Sequence, residues 1–246
     1  MSKRLLVSLC TYNERQNLPN LIPSIQEYAP DADIVVVDDN SPDGTGQYVD
    51  ELSAEDSSIH AVHRESKLGL GSALIAVFHY AIEHDYELLI NLDADFSHHP
   101  KHIPAMLECM SRVDCAIGSR YVPGGGVEGW GIKRHFMSRG INLYARVLLG
   151  LKTKDNSGSY RCYRVSKLAE LDLDRVRSRG YSFQEEILYR LKRIGCTFEE
   201  TPIYFADRQF GETKINMGEV VSAGVILAQL CLDRIRRIPV KKPDTS

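Results

Sequence analysis

No stretch of this sequence reaches the roughly 18 consecutive apolar residues that a membrane-spanning helix needs. The nearest approach, residues 220–232, is too short and contains Ser222 and Gln229. Cysteines are few, and none of the six (Cys10, Cys109, Cys115, Cys162, Cys196, Cys231) stands in a Cys-x-x-Cys pair. The usual thiolate metal and dithiol redox motifs are therefore absent. The apolar neighbours of most of these cysteines predict small buried hydrophobes. No leader-like segment opens the chain, so the expectation is a reducing cytoplasm. An excess of one charge is also missing. The net charge of −3 argues against a general nucleic-acid binder. There is no internal repeat and no low-complexity linker; only residues 241–246 read as a loose tail.

What is present is ordinary for a folded enzyme-sized chain. Hydrophobic residues make up 43% and charged residues 26%, which excludes a disordered polypeptide. A length of 246 residues suits one α/β domain or two small ones, with a substantial core. The pattern below favours one domain over residues 1–240.

Short apolar runs alternate with helical periodicity. Leu5-Leu6-Val7-Ser8-Leu9 reads as a first strand, and Leu18, Leu21, Ile22 and Ile25 mark a helix face. Ile34-Val35-Val36-Val37 is a β-branched run of the kind buried on both faces of a parallel sheet. A helix to about Ser53, a strand over 59–63, and a helix presenting Leu74, Val77, Phe78 and Ala81 follow. Leu88-Leu89-Ile90 and Cys115-Ala116-Ile117-Gly118-Ser119 are further strands, separated by a helix through Met106 and Met110 that Pro100 opens. Such alternation predicts a mainly parallel sheet with right-handed crossovers.

Ligands in these sheets bind beyond the carboxyl ends of the strands. Three polar clusters fall there: residues 11–14, 38–43 and 93–99. Asp93 and Asp95 are one residue apart, and in an extended segment side chains i and i+2 share a side. Their carboxylates could converge on one hard cation, Mg or Mn. His98 and His99 are expected to cap or orient the aspartate loop, because these metals prefer oxygen. Gly69-Leu70-Gly71 lacks the full dinucleotide fingerprint and is a weak phosphate-loop signal.

The second half is less regular. Arg134 and Arg139 open a helix to about Leu149, and a loop over 155–159 precedes a strand over 160–163. Ser182 and Glu185 have capping-box spacing before a helix. The run 198–205, interrupted by Pro202, predicts an edge or bent strand. Residues 207–218 have the length and polarity of a lid. A helix over 219–237 combines an apolar face with Arg234, Arg236 and Arg237, a pattern suited to core packing or to an anionic membrane surface.

The motifs Thr11-Tyr12-Asn13-Glu14, Val37-Asp38-Asp39-Asn40-Ser41-Pro42-Asp43-Gly44-Thr45, Asp93-Ala94-Asp95-Phe96-Ser97-His98-His99-Pro100, Gly118-Ser119-Arg120-Tyr121 and Gly211-Glu212-Thr213-Lys214 occur in this order. Together they resemble glycosyltransferase family 2, and within it the polyprenol- or dolichyl-phosphate mannose synthases, over nearly the whole chain. The resemblance implies a single Rossmann-like GT-A domain. It implies mannose transfer from GDP-mannose to polyprenyl (dolichyl) phosphate with inversion, at the cytoplasmic face of a membrane. Small membrane-anchoring subunits are candidate partners.

By the same resemblance Cys10, Tyr12, Glu14, Val37 and Asp39 hold the nucleoside, with Glu14 at the ribose and Asp39 at the base. Ala94 and Lys214 complete the donor site. Asp93, Asp95 and Ser97 hold the metal. Arg120, Arg134 and Ser138 meet the acceptor phosphate. Asp95, Arg120 and Arg208 are the catalytic residues, with Arg208 also meeting the donor. Cys10 stands where many relatives have proline, and Ser97 where some have glutamine, so water could replace a protein ligand on the metal.

The chemistry agrees with this pattern. A phosphate acceptor is anionic near neutral pH, so no strong general base is required, and the sequence shows no obvious Ser-His-Asp or Cys-His set. Alternative readings are transfer of another sugar, such as glucose from UDP-glucose, and a non-enzymatic binding subunit. A nucleotidyltransferase would need a glycine-rich basic loop at residues 10–15, which is missing.

Overall fold

The β-branched and leucine-rich runs become the centre of a seven-stranded sheet. The structure, a computed structural model, describes residues 4–180, 182–206, 217–236 and 238–241, with the backbone alone for 217–221. In chain order the first elements are β1 (Leu5–Thr11), α1 (Leu18–Tyr28), β2 (Asp33–Asp38), α2 (Thr45–Glu55), β3 (Ile59–His63), α3 (Leu70–Glu83) and β4 (Leu88–Asp93). A 3-10 turn, Pro100–His102, leads into α4 (Ile103–Cys109), followed by β5 (Cys115–Ser119), β6 (Gly126–Val127) and α5 (Ile132–Leu149). The chain continues through β7 (Arg161–Arg164), α6 (Val165–Ala169), α7 (Phe183–Arg193), β8 (Phe198–Pro202), β9 (Tyr204–Phe205) and α8 (Met217–Ile235).

The strand order is β3-β2-β1-β4-β7-β5-β8. All neighbours are parallel except β7, which runs antiparallel to both β4 and β5. The sheet is mainly parallel, as the alternation predicts. Pro202 ends β8 at the sheet edge, and the chain re-forms at once as β9, paired with β6 in a separate two-stranded sheet.

Strand alternation divides the core between the two faces. Leu5, Val7, Leu9, Ile34, Val36, Leu88, Ile90 and Leu92 meet the buried faces of α1 and α4. Leu6, Val35, Val37 and Leu89 meet α3 and α7 on the other side. The topology reverses at β1, which has β2 on one side and β4 on the other. This switch point opens a crevice at the strand ends, where Cys10 pairs in register with Asp93 and Thr11 with Asp38.

The last helix does pack into the core. Leu227 and Leu230 of α8 are buried, while Val225, Leu232 and Ile235 are exposed. Among the described residues no helix is long and apolar enough to cross a membrane.

Candidate active site

The crevice deepens into a cavity of about 650 Å³ at the carboxyl ends of β1, β2, β4 and β5, walled by the loop before β7 and by α5, α7 and α8. This size suits a small-molecule ligand.

At the β1–β2 end, carboxylates divide into those that build loops and those that face the cavity. Asp38 Oδ1 accepts hydroxyl hydrogens from Thr11 (2.8 Å) and Ser41 (2.5 Å), tying the two strand ends together. Asp43 accepts from Arg15 N and Thr45 N, fastening the β1–α1 loop to the start of α2. Asn13 and Asn40 take left-handed φ values of 64° and 57°, which asparagine tolerates better than most residues. Glu14 and Asp39 line the cavity with Cys10 and Tyr12. Asp39 Oδ1 accepts from Arg64 Nη1 at 2.7 Å; burial nevertheless raises its carboxyl above the ordinary range. Burial also pushes the Cys10 thiol far up, so Cys10 offers no thiolate nucleophile.

The end of β4 brings Asp93, Ala94 and Asp95 to the cavity. Asp93 ends the strand, but Asp95 sits in a turn, so extended alternation is not what brings the two together. The turn is set locally: Asp95 Oδ1 accepts Ser97 N at 3.0 Å and Ser97 Oγ at 2.5 Å. Phe96 between them is left-handed at φ 62°, a conformation that costs about 1–2 kcal/mol for a residue with a side chain. Asp93 Oδ1 accepts Ser159 Oγ at 2.5 Å, and His98 Nδ1 lies 3.4 Å from Asp93 Oδ2 and 3.3 Å from Asp93 N. His98 thus orients the aspartate loop. Burial lowers its basicity, consistent with a neutral ring that accepts the Asp93 N–H. Ser97, 1% exposed, is not on the cavity wall; its hydroxyl donates to Asp95 behind it.

The β5 end supplies Arg120. Its Nε and Nη2 donate to Asp155 Oδ2 and Oδ1 at 2.7 and 2.6 Å, and Nη2 also donates to Ser157 at 3.0 Å. Burial alone would raise the Asp155 carboxyl; the Arg120 guanidinium outweighs it and holds the group below the usual range. Asp155 is fixed in turn by Glu200, which accepts its backbone N–H at 2.9 Å. The Arg120 guanidinium carbon lies 5.3 Å from the Trp130 ring centre, and that of Arg134 lies 4.2 Å from it. Arg134, Ser138 and Tyr144 line the cavity from one face of α5, and Ser138 shares a 2.6 Å hydrogen bond with the Tyr121 hydroxyl.

Residues 7–172 match the family model described as glycosyl transferase family 2. The chain belongs to glycosyltransferase family 2. It is 43% identical over 222 residues, 90% of its length and 91% of the relative's, to an undecaprenyl-phosphate mannosyltransferase of Micrococcus luteus. It is 41% identical over 224 residues, 90% of its length and 84% of the relative's, to a polyprenol monophosphomannose synthase of Mycolicibacterium smegmatis. Among solved structures it resembles glucosyl-3-phosphoglycerate synthase from Mycobacterium tuberculosis in complex with Mn2+, UDP and glucosyl-3-phosphoglycerate. The TM-score is 0.65 at 19% identity, covering 97% of this chain and 81% of that one. S. aureus TarS 1-349 in complex with UDP-GlcNAc gives 0.62 at 16% identity, covering 92% and 66%. These structural likenesses establish the GT-A type of fold.

In this family-2 glycosyltransferase the cavity gathers Cys10, Tyr12, Glu14, Asp39, Asp93, Ala94, Asp95, Arg120, Arg134 and Ser138. Val37 is buried and off the cavity wall; its carbonyl accepts the Thr11 hydroxyl at 3.4 Å. Arg208, Lys214 and nearly all of the lid segment lie outside the described residues. The expected helix cap needs correction. Ser182 makes no capping hydrogen bond; its hydroxyl donates to Ser178, and Glu185 turns into the cavity wall. Gly69 and Gly71, already a weak phosphate-loop signal in sequence, face protein backbone. A Cβ on either would lie 2.6 and 2.5 Å from the Arg179 and Ser178 carbonyl oxygens, so these glycines allow the backbone before α7 to pack on α3.

Sequence reasoning missed Lys67, Glu185 and Phe205 on the wall. It also missed the tether that runs from Ser8 through Asn91 to Ser159 and Asp93. A buried serine and asparagine opposite each other in adjacent strands were the available signal.

Proposed function

We propose that this glycosyltransferase moves mannose from GDP-mannose to polyprenyl phosphate, inverting the anomeric carbon. The observation that carries this reading is the 41–43% identity, over nine-tenths of the chain, to relatives named for mannosyl transfer to such lipids. The geometry is consistent with it.

Along the rim the strands follow one another at roughly 4.8 Å spacing. The nucleoside would lie over β2 and β1 beside Asp39 and Glu14, the diphosphate over β4, the sugar over β7, and the acceptor phosphate by Arg120 at β5. Asp93 and Asp95 would hold a divalent ion, Mg or Mn. An oxygen set of two carboxylates suits these ions, which keep water and substrate phosphates as their other ligands. Among the described residues no third acidic, histidine or cysteine side chain joins them in a metal-binding cluster. When bound, the ion supplies Lewis-acid neutralisation of the departing diphosphate.

The protein's own share is positioning. Arg120 and Arg134 offer fixed guanidinium donors to a phosphate. An acceptor phosphate oxygen, already anionic, attacks the anomeric carbon; its new C–O bond forms as the bond to the diphosphate breaks, and GDP leaves. No proton needs to be removed. A lipid acceptor also needs access from a bilayer. Beside the cavity, α5 exposes Ile132 (77%), Phe136 (74%), Leu143 and Val147, with Lys133, Arg139 and Arg146 among them and no acidic residue in the helix. This face fits peripheral attachment to an anionic membrane surface.

Transfer of radiolabelled mannose from GDP-mannose to short-chain polyprenyl phosphate tests the reading, with Mg or Mn, with EDTA, and with UDP-glucose in parallel. A mannosyl lipid formed only with metal is the expected product. Glucosyl transfer alone would keep the reaction type and move the donor.

A further inference from the structure

Four buried side-chain polar atoms lack a hydrogen-bond partner among the described residues: His98 Nε2, Trp130 Nε1, Gln184 Nε2 and Glu185 Oε2. All four belong to residues on the wall of the one cavity described above. Leaving such an atom unsatisfied costs about 1–3 kcal/mol, so their gathering at one place points to a ligand that completes them.

They divide by chemistry and by position. His98 and Trp130 both pack against Phe205, and Arg120 lies near Trp130 and Phe205. That group consists of hydrogen donors, which a phosphate can satisfy. Gln184 and Glu185 stand apart, at the start of α7. Arg161, fully buried on β7, donates Nη1 to the Gln184 carbonyl at 2.9 Å and Nε to the Gly158 carbonyl at 2.8 Å, locking the helix start to the cavity loop. The Tyr163 hydroxyl donates to Gln184 Oε1 at 3.4 Å, which fixes the amide so that Nε2 is the end left over. Gln184 and Glu185 are 3% and 2% exposed.

A phosphate suits Glu185 poorly, because its charge repels the carboxyl once that group is ionised, whereas a hydroxyl can pair with the carboxyl in either protonation state. A hydroxyl group can satisfy either residue, accepting from an amide N–H and donating to a carboxylate oxygen. We propose that Gln184 and Glu185 read two hydroxyls of the transferred sugar, Gln184 donating through Nε2 and Glu185 accepting at Oε2. The inference rests on the proposed nucleotide-sugar reading, and it matches position as well as chemistry. The start of α7 is anchored over β7, beyond β4 from the nucleoside end, where the sugar of a bound nucleoside diphosphate sugar would lie. These two residues are assigned specificity for the sugar; the bond-breaking step does not require them.

The test compares ligands with and without the sugar. Glu185→Gln and Gln184→Ala are titrated calorimetrically with GDP and with GDP-mannose in Mn2+, and in parallel with UDP and UDP-glucose. Each variant is expected to lose about 10- to 100-fold in affinity for the nucleotide sugar and to stay within about two-fold for the free nucleotide. GDP-mannose analogues lacking one hydroxyl refine the assignment: the analogue missing the hydroxyl that Glu185 reads should show no further loss in Glu185→Gln. Equal losses for nucleotide and nucleotide sugar would make the pair structural and overturn the proposal, as would unchanged affinity for both. Failure of the wild-type protein to bind any of the four ligands would instead overturn the nucleotide-sugar reading, and the proposal with it.

Discussion

Ser159 Oγ lies 2.5 Å from Asp93 Oδ1 and donates to it, while Asn91 Nδ2 holds the Ser159 carbonyl at 2.9 Å. The strand that carries Asp93 thus also positions the loop that orients it. A hydroxyl bound to one carboxylate oxygen fixes the direction of the other. Removing such an outer support typically weakens metal binding by 10- to 100-fold. Ser159→Ala should therefore raise the Mn2+ concentration needed for half-maximal transfer by about 10-fold, with the thermal midpoint little changed. A Mn2+ titration of activity measures this, and an unaltered titration would remove Ser159 from the support of the ion.

The Arg120–Asp155 pair has both members nearly sealed from solvent. Breaking one side of a buried pair leaves an uncompensated charge and costs about 3–5 kcal/mol, whereas replacing both with apolar residues of similar size can be close to neutral. Asp155→Ala should lower the denaturation midpoint sharply. Arg120→Met combined with Asp155→Leu should recover most of that stability and none of the transfer activity. If Asp155→Ala loses less than about 1 kcal/mol, the pair does not anchor the loop.

Much of this arrangement is legible in the residues alone. The β-branched runs and their polar ends place β1, β2 and β4 and the crevice between them, because a parallel sheet buried on both faces leaves only its strand ends for polar residues. Asp39, Asp93 and Arg120 lie at those ends and are found on the cavity wall. Glu185 illustrates what is not legible. In sequence it has the spacing of a helix cap, and only the tertiary hydrogen bonds from Arg161 to the Gln184 carbonyl and to the 155–159 loop set the helix start at the cavity. The reversal of β7 is equally hidden, since a four-residue run carries no signal of direction. Gly69 and Gly71 lack a full phosphate-loop fingerprint in sequence, but what Gly71 is used for, the tertiary contact with Ser178, cannot be read there.

That contact is itself testable. A Cβ at Gly71 would lie 2.5 Å from the Ser178 carbonyl oxygen and 2.9 Å from the Phe183 ring. Neither neighbour is the free end of a flexible side chain. Gly71→Ala should cost about 2 kcal/mol or more through overpacking, and by displacing the start of α7 it should weaken binding of the sugar-bearing donor more than of the free nucleotide. Chemical denaturation and the paired titrations measure the two effects separately.

Glu185 gives a prediction that needs no substrate. Burial raises its carboxyl from 4.5 to about 7; Arg161 and Arg120 oppose the shift and Asp155 adds to it. In the window between these values the folded protein holds a proton that the unfolded chain has released. Stability from this group is therefore fully present below about pH 4.5 and is lost as pH rises through about 7, a total of roughly 3 kcal/mol. Glu185→Gln cannot ionise, so its stability should gain on the wild type by about that amount between pH 4.5 and pH 8. Urea denaturation of both proteins across this range measures the difference. A difference that stays flat with pH would mean that the carboxyl titrates normally. The expected rise, together with weaker sugar binding by the same variant, would show a residue kept at a cost to the fold because a ligand uses it.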